Sequence, residues 1–272
     1  MKKILWLIGL MIIITIGLLT IGYRGRLLAL ATELIAQQKL PPAKTAEEAN
    51  LQFVATPALN VIPSTSEESH MIKKQESTPP ADKLPKEFNL AVPFTSQAPY
   101  EDWSMPYKEA CEEASVMMVD AFYQGRKLTK ESAKTVILNL VDWQLANLGH
   151  WEDTDAEETA RILREKYGYK NVRVVYNITI DDIKREVAQG RPVIIPAAGQ
   201  LLKNRYFHQP GPLYHMLVVR GWTKDGMIIT NDPGTKRGNG YLYKPEVLLN
   251  AIHDWNGGDV LNGKKVMIVV KE

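Results

Sequence analysis

The sequence predicts an α+β domain, helices first and an antiparallel sheet later, behind an apolar N-terminal segment and a proline-rich connector. Three observations carry this. Apolar residues recur at helical spacing in most of the stretch 109–189, apolar and alternating strand-like runs dominate from residue 193 onward, and five of six tryptophans and ten of eleven tyrosines lie beyond residue 90.

Residues 4–21 (ILWLIGLMIIITIGLLTI) are 18 consecutive uncharged residues behind Lys2 and Lys3, close to the length that crosses a bilayer as a helix. Arg24 and Arg26 separate this run from Ala29-Leu30-Ala31, so an uncleaved anchor over residues 1–23 is favoured over a secretory signal removed from a secreted protein. The two-lysine head predicts a single-pass cell-membrane protein with its body outside the cytoplasm. Residues 40–90 hold seven of the sixteen prolines and no Trp or Tyr, a composition too poor in apolar surface to offset ordering entropy. The connector, residues 24–89, is therefore expected to be a flexible tether, and residues 90–272 one globular domain.

Within the domain, Ala110, Ala114, Met117, Met118, Ala121 and Phe122 predict a helix over 109–124, with Pro106 before it and Gly125 to end it. Thr129 opens a second helix around Ser132–Leu140, and Thr154 with the acids that follow opens a third ending before Gly168. Val172–Tyr176 reads as a strand, 180–189 as a helix closed by Gly190, and Val193–Ala197 as a strand introduced by Pro192. Tyr214–Trp222 is a nearly continuous apolar run, Thr223–Gly226 a turn, and Met227–Asn231 the returning strand. Tyr241–Tyr243, a helix over 245–255 and a last strand Val266–Val270 complete the pattern.

Composition removes several function classes. The domain carries 23 Lys plus Arg against 23 Asp plus Glu over residues 91–272, which gives no electrostatic footprint for a nucleic acid. A mean hydropathy of -0.21 excludes a polytopic membrane protein. No His, Cys, Asp and Glu cluster has metal-ligand spacing, so neither metal nor cofactor is expected. The single cysteine, Cys111, has no disulfide partner and is either a small buried hydrophobe or a reactive thiol.

Position favours the thiol. Cys111 falls in the first turn of a predicted helix, where backbone N–H groups and the helix dipole stabilise a thiolate, while Glu112 and Glu113 oppose ionisation and call for a cationic partner. Of five histidines, His70 and His253 read as solvated and His150 and His208 lie in loops with nothing to orient them. His215 stands inside the apolar strand run, where a buried imidazole needs a polar partner. With a four-residue loop at 223–226, facing residues sum to 449, and Asp232 becomes the diagonal neighbour of His215 on the same face. A three-residue loop would put the two on opposite faces. Asp232 also precedes Pro233-Gly234, so a simple turn role competes.

Val92–Gln97, Cys111-Glu-Glu-Ala-Ser-Val-Met-Met, Gly190-Arg-Pro-Val-Ile-Ile, His215–Trp222, Asn231–Gly234 and Tyr243-Lys-Pro-Glu-Val-Leu-Leu occur in the order found in the family 39 cysteine peptidase-like domains, relatives of the bacteriocin-leader peptidases in the papain-like clan, which the sequence resembles. The resemblance implies a papain-like fold, an N-terminal helical half bearing the nucleophile Cys111 and a C-terminal antiparallel sheet, with His215 as general base, Asp232 orienting it and Gln97 as an oxyanion-hole donor. The Gln97 role rests on the resemblance alone. No glycine-rich ATP-binding loop is present, which sets the chain apart from the leader-processing exporters.

The expected activity is thus cleavage of a peptide or amide bond in a peptide or protein substrate. Two alternatives stand beside it: a papain-like surface binding module with an inert triad, and a cell-wall amidase or transpeptidase.

Overall fold

The run Tyr214–Trp222, nine residues all buried, sets the architecture, because a strand covered on both faces has to lie inside a sheet with layers on either side. In the computed structural model, which describes residues 40–49 and 84–271, the element order is β1 (Phe88–Asn89), α1 (Cys111–Tyr123), α2 (Lys130–Asn147), α3 (Ala156–Arg161), β2 (Val172–Tyr176), α4 (Ile180–Ala188), β3 (Val193–Ala198), α5 (Gly199–Leu202), β4 (Tyr214–Trp222), β5 (Ile228–Asn231), β6 (Asn239–Tyr243), α6 (Pro245–Ala251) and β7 (Val266–Val270). The strands make one antiparallel sheet in the order β2-β7-β3-β4-β5-β6, and β1 pairs with the far end of β4. Mixed helix and antiparallel sheet is the class the sequence predicts.

Every residue of α1 except Tyr123 is buried, as expected of a helix wedged between other layers. One side meets β3 and β4; the other meets α2 through a seam of Ala110, Met117, Ala133, Ile137 and Val141. Gly125, at φ 59°, takes the left-handed conformation that closes α1. Thr129 caps α2 as predicted, and the helix runs on to Asn147. The third helix opens one residue later than expected: Asp155 accepts from the Glu158 N–H, while buried Thr154 bonds to Thr159. At Ile162 it widens into a π turn through Lys166. The last helix stops at Ala251 rather than near Trp255, because Ile252 turns extended to bridge Ala197 of β3.

The β4–β5 hairpin departs from the predicted register twice, and the departures cancel. Trp222 faces Ile228 instead of Met227, so the connection has five residues. That odd count alone would put His215 and Asp232 on opposite faces. A bulge between Val219 and Gly221 inserts one residue, and beyond it Val219 faces Thr230 and Val218 faces Asn231, the predicted pairing.

The apolar run 4–21 and most of the connector lie outside the described residues. Among those described, no helix is long and apolar enough to cross a membrane. The two described pieces of the expected tether are docked on the domain rather than free. The Lys44 N–H donates to Asn89 O at 2.8 Å, the Ala91 N–H to Lys44 O at 2.6 Å, and Asn89 Nδ2 to Pro41 O at 2.8 Å. Ala49 is fully buried, and Phe88 stacks on Trp222 at 5.6 Å. Backbone pairing of this kind needs no large side chains, so a composition count does not register it.

Gly221 is where β1 can approach β4: a Cβ there would sit 2.2 Å from Phe88 O. Gly221→Ala is expected to displace β1 and cost roughly 3 kcal/mol, measured by urea unfolding; unchanged stability would show that the β1 contact is dispensable.

Candidate active site

Cys111 begins α1 because the chain before it, a 3-10 turn at Tyr107–Glu109 followed by Ala110 outside helical geometry, admits no earlier start. Its side chain is buried at 6% exposure. Sγ donates to Glu112 Oε2 at 3.1 Å. Burial, then the carboxyls of Glu112 and Glu113, push the thiol well above its ordinary pKa, while the Met216 N–H works the other way. Met216 directly follows His215, so β4 carries the predicted base past the predicted nucleophile.

His215 and Asp232 meet directly. Nε2 of His215 lies 2.8 Å from Asp232 Oδ1, with the side chains 2% and 0% exposed. The same Oδ1 accepts from the Gly234 N–H at 3.0 Å. Oδ2 accepts from Asn204 Nδ2 at 2.9 Å and from the Tyr243 hydroxyl at 2.6 Å. Burial works to raise the pKa of Asp232, yet His215, Tyr243 and Asn204 outweigh it and hold the carboxyl below its ordinary value. Phe207 sets its ring edge-to-face against the imidazole at 5.2 Å. Gly234 leaves room for both rings, since a Cβ would come within 2.8 Å of Phe207 and 2.9 Å of His215.

Gln97 sits between the two halves of the site. Its backbone N–H donates to Pro233 O at 3.0 Å, beside Asp232, and its side-chain amide donates to Tyr107 O at 3.0 Å and Lys108 O at 2.7 Å, just before Cys111. Both amide hydrogens are used, so in this arrangement Gln97 clamps backbone and has no N–H left for an oxyanion. Behind the thiol, Glu113 is fully buried and accepts from Gln144 of α2. Burial raises Glu113 to about 7. Among the described residues no group of three or more His, Cys, Asp and Glu is placed to hold a metal ion.

Sequence reasoning missed Asn204, Tyr243 and Phe207 as parts of the site. A buried aspartate announces a need for several donors. Nothing local says that one comes from the loop after α5, 28 residues earlier, and another from the end of β6.

The profile of the Peptidase_C39 like family matches residues 89–256. No curated protein matches the chain. Among solved structures, a protein from Bacillus anthracis described as a C39-like peptidase is 16% identical with a TM-score of 0.43, over 67% of this chain and 96% of that one. A prointerpain A fragment from Prevotella intermedia is 14% identical with a TM-score of 0.46, over 71% and 74% of the two chains. Active wild-type interpain A, a cysteine protease from the same organism, is also 14% identical, with a TM-score of 0.42 over 71% and 98%.

The pKa of Glu113 is higher in the fold than in the unfolded chain, so its contribution to stability is complete below the ordinary carboxyl range and is lost as pH rises through about 7. Asp153 and Asp254, each raised to about 6 by burial first, act in the same direction. Thermal unfolding between pH 5 and 8 should therefore show stability falling with pH. Glu113→Gln, which keeps an acceptor for Gln144, should flatten that fall; an unaltered slope would remove Glu113 as its source.

Proposed function

Because the chain belongs to the Peptidase_C39 like family, we propose that its globular part is a cysteine peptidase of papain-like fold that cleaves peptide or amide bonds through Cys111, His215 and Asp232. One observation carries this reading: the buried 2.8 Å contact between His215 and Asp232, on the strand that passes the only thiol in the sequence.

Asp232 engages Nε2, which leaves Nδ1 of His215 to take the thiol proton. The thiolate attacks the substrate carbonyl and forms a C–S bond, and the imidazolium is stabilised by Asp232. Negative charge on the carbonyl oxygen is met by backbone N–H groups at the start of α1, where helix geometry leaves donors unpaired. Gln97 becomes a second donor once its amide releases one of the two carbonyls it holds. His215 then gives its proton to the leaving amine as the C–N bond breaks. A water, deprotonated in turn by His215, displaces the thiol from the thioester and releases the acid product.

A second reading, a binding module with an inert thiol, draws on the bond from Cys111 to Glu112, which opposes ionisation. The proposed location, membrane-held with the domain outside the cytoplasm, rests on residues 4–21 and their lysine head.

Cys111→Ala is expected to abolish hydrolysis of a mixed peptide library, read by mass spectrometry, without changing the melting temperature by more than a few degrees. Retained hydrolysis would sink the peptidase reading, and a wild-type protein inert to both peptides and thiol-directed electrophiles would favour the binding module. Separately, His215→Asn should slow alkylation of Cys111 near neutral pH by at least about tenfold; an equal rate would show that the two residues do not form a pair.

A further inference from the structure

Glu112 is a buried group in contact with the nucleophile that the mechanism above leaves unused. It is 1% exposed, and its Oε2 takes the hydrogen bond that a Cys–His pair would direct to the imidazole. A thiol has one proton and donates to one acceptor at a time. While that proton points at Oε2 it is not delivered to His215, and ionising the sulfur there would set it beside a carboxyl in a dry site.

We propose that Glu112 is a positioning residue that holds Cys111 as a neutral, unreactive thiol in the resting protein, and that the sulfur has to leave this carboxyl before His215 can take its proton. The inference rests on the Cys–His reading given above. The movement required is small: rotation of the Cys111 side chain into another of its three staggered wells carries Sγ off Oε2 while the helix stays in place.

The surroundings reinforce the hold. The ionisable groups acting on this pocket are Glu112 and Glu113 on α1, Tyr214 on β4 and Asp153 in the loop before α3; His215 follows Tyr214 on β4 and is bonded to Asp232. Glu113 Oε2 is buried with no hydrogen-bond partner among the described residues. Burial first and Glu113 second raise Glu112 well above the ordinary carboxyl range. A charge on the carboxyl and a charge on the thiol oppose each other, so whichever group ionises first holds back the other.

The test is the rate of Cys111 alkylation by iodoacetamide against pH, in the full chain, for wild type, Glu112→Gln and Glu113→Gln. The glutamine at 112 keeps the shape and an acceptor for the thiol but carries no charge and brings an N–H toward a thiolate. Glu112→Gln should lower the midpoint of the pH–rate profile by about one pH unit or more, giving roughly tenfold faster alkylation at pH 7. An unchanged midpoint and rate would overturn the proposal. So would equal acceleration by Glu112→Gln and Glu113→Gln at an unchanged midpoint, because local loosening would then explain both. If Glu112→Gln does not melt cooperatively, Glu112→Met takes its place with the same expected shift. Failure of the underlying reading looks different: hydrolysis surviving Cys111→Ala, or alkylation indifferent to His215→Asn in every background.

Discussion

A carboxylate with no exposed surface has to be surrounded by donors, and the arrangement of the site follows from meeting that requirement at Asp232. Its two oxygens accept from His215, Gly234, Asn204 and Tyr243. These donors come from β4, the turn after β5, the loop after α5 and the end of β6. Four stretches of chain are thereby tied to one point, and the imidazole is held in a single orientation with Nε2 engaged. Gly238 shows how tightly the backbone closes there, since a Cβ on it would lie 1.7 Å from Asp232 O.

Against this ionised carboxylate stands a second acidic group of opposite tendency. Glu112 and Glu113 are as deeply buried as Asp232, but no cation among the described residues forms an ion pair with them, and burial drives their pKa values up. Asp232, supplied with donors and an imidazole, goes down. One carboxyl is bonded to His215, and the other two raise the pKa of Cys111. The separation of carboxyl pKa values by environment is the pattern that assigns roles in acid–base sites. Here it separates the surroundings of His215 from those of Cys111, with Gln97 bridging the backbone beside each.

The docked pieces 41–49 and 84–89 bear on the same core from outside. β1 lies on the end of β4 opposite His215, so the strand that carries His215 is gripped at both ends, by Asp232 near one and by Phe88 and the Lys44 pairing near the other. The bulge at Arg220 lies between them, and its guanidinium donates to Leu90 O at 2.9 Å. Strand register, site geometry and attachment of the N-terminal piece are therefore coupled through one strand.

Much of this was legible from residue types and spacing. A lone cysteine at a helix start, a histidine in an apolar strand and an aspartate across a hairpin are local patterns with local physical meaning, and Cys111, His215 and Asp232 could be named from them. The facing of His215 and Asp232 came out as predicted although the loop was one residue too long, because the bulge at Arg220 restored the face. At that bulge the buried Arg220 donates to the Leu90 carbonyl just after β1, a contact no hairpin rule contains. The same holds for Asn204 and Tyr243 on Asp232, the clamp made by Gln97 and the bond from Cys111 to Glu112. Periodicity tells which face a residue occupies. Which polar atoms meet on a buried face is decided only when separate segments pack, because each burial cost is met by whichever donor the tertiary structure brings within reach.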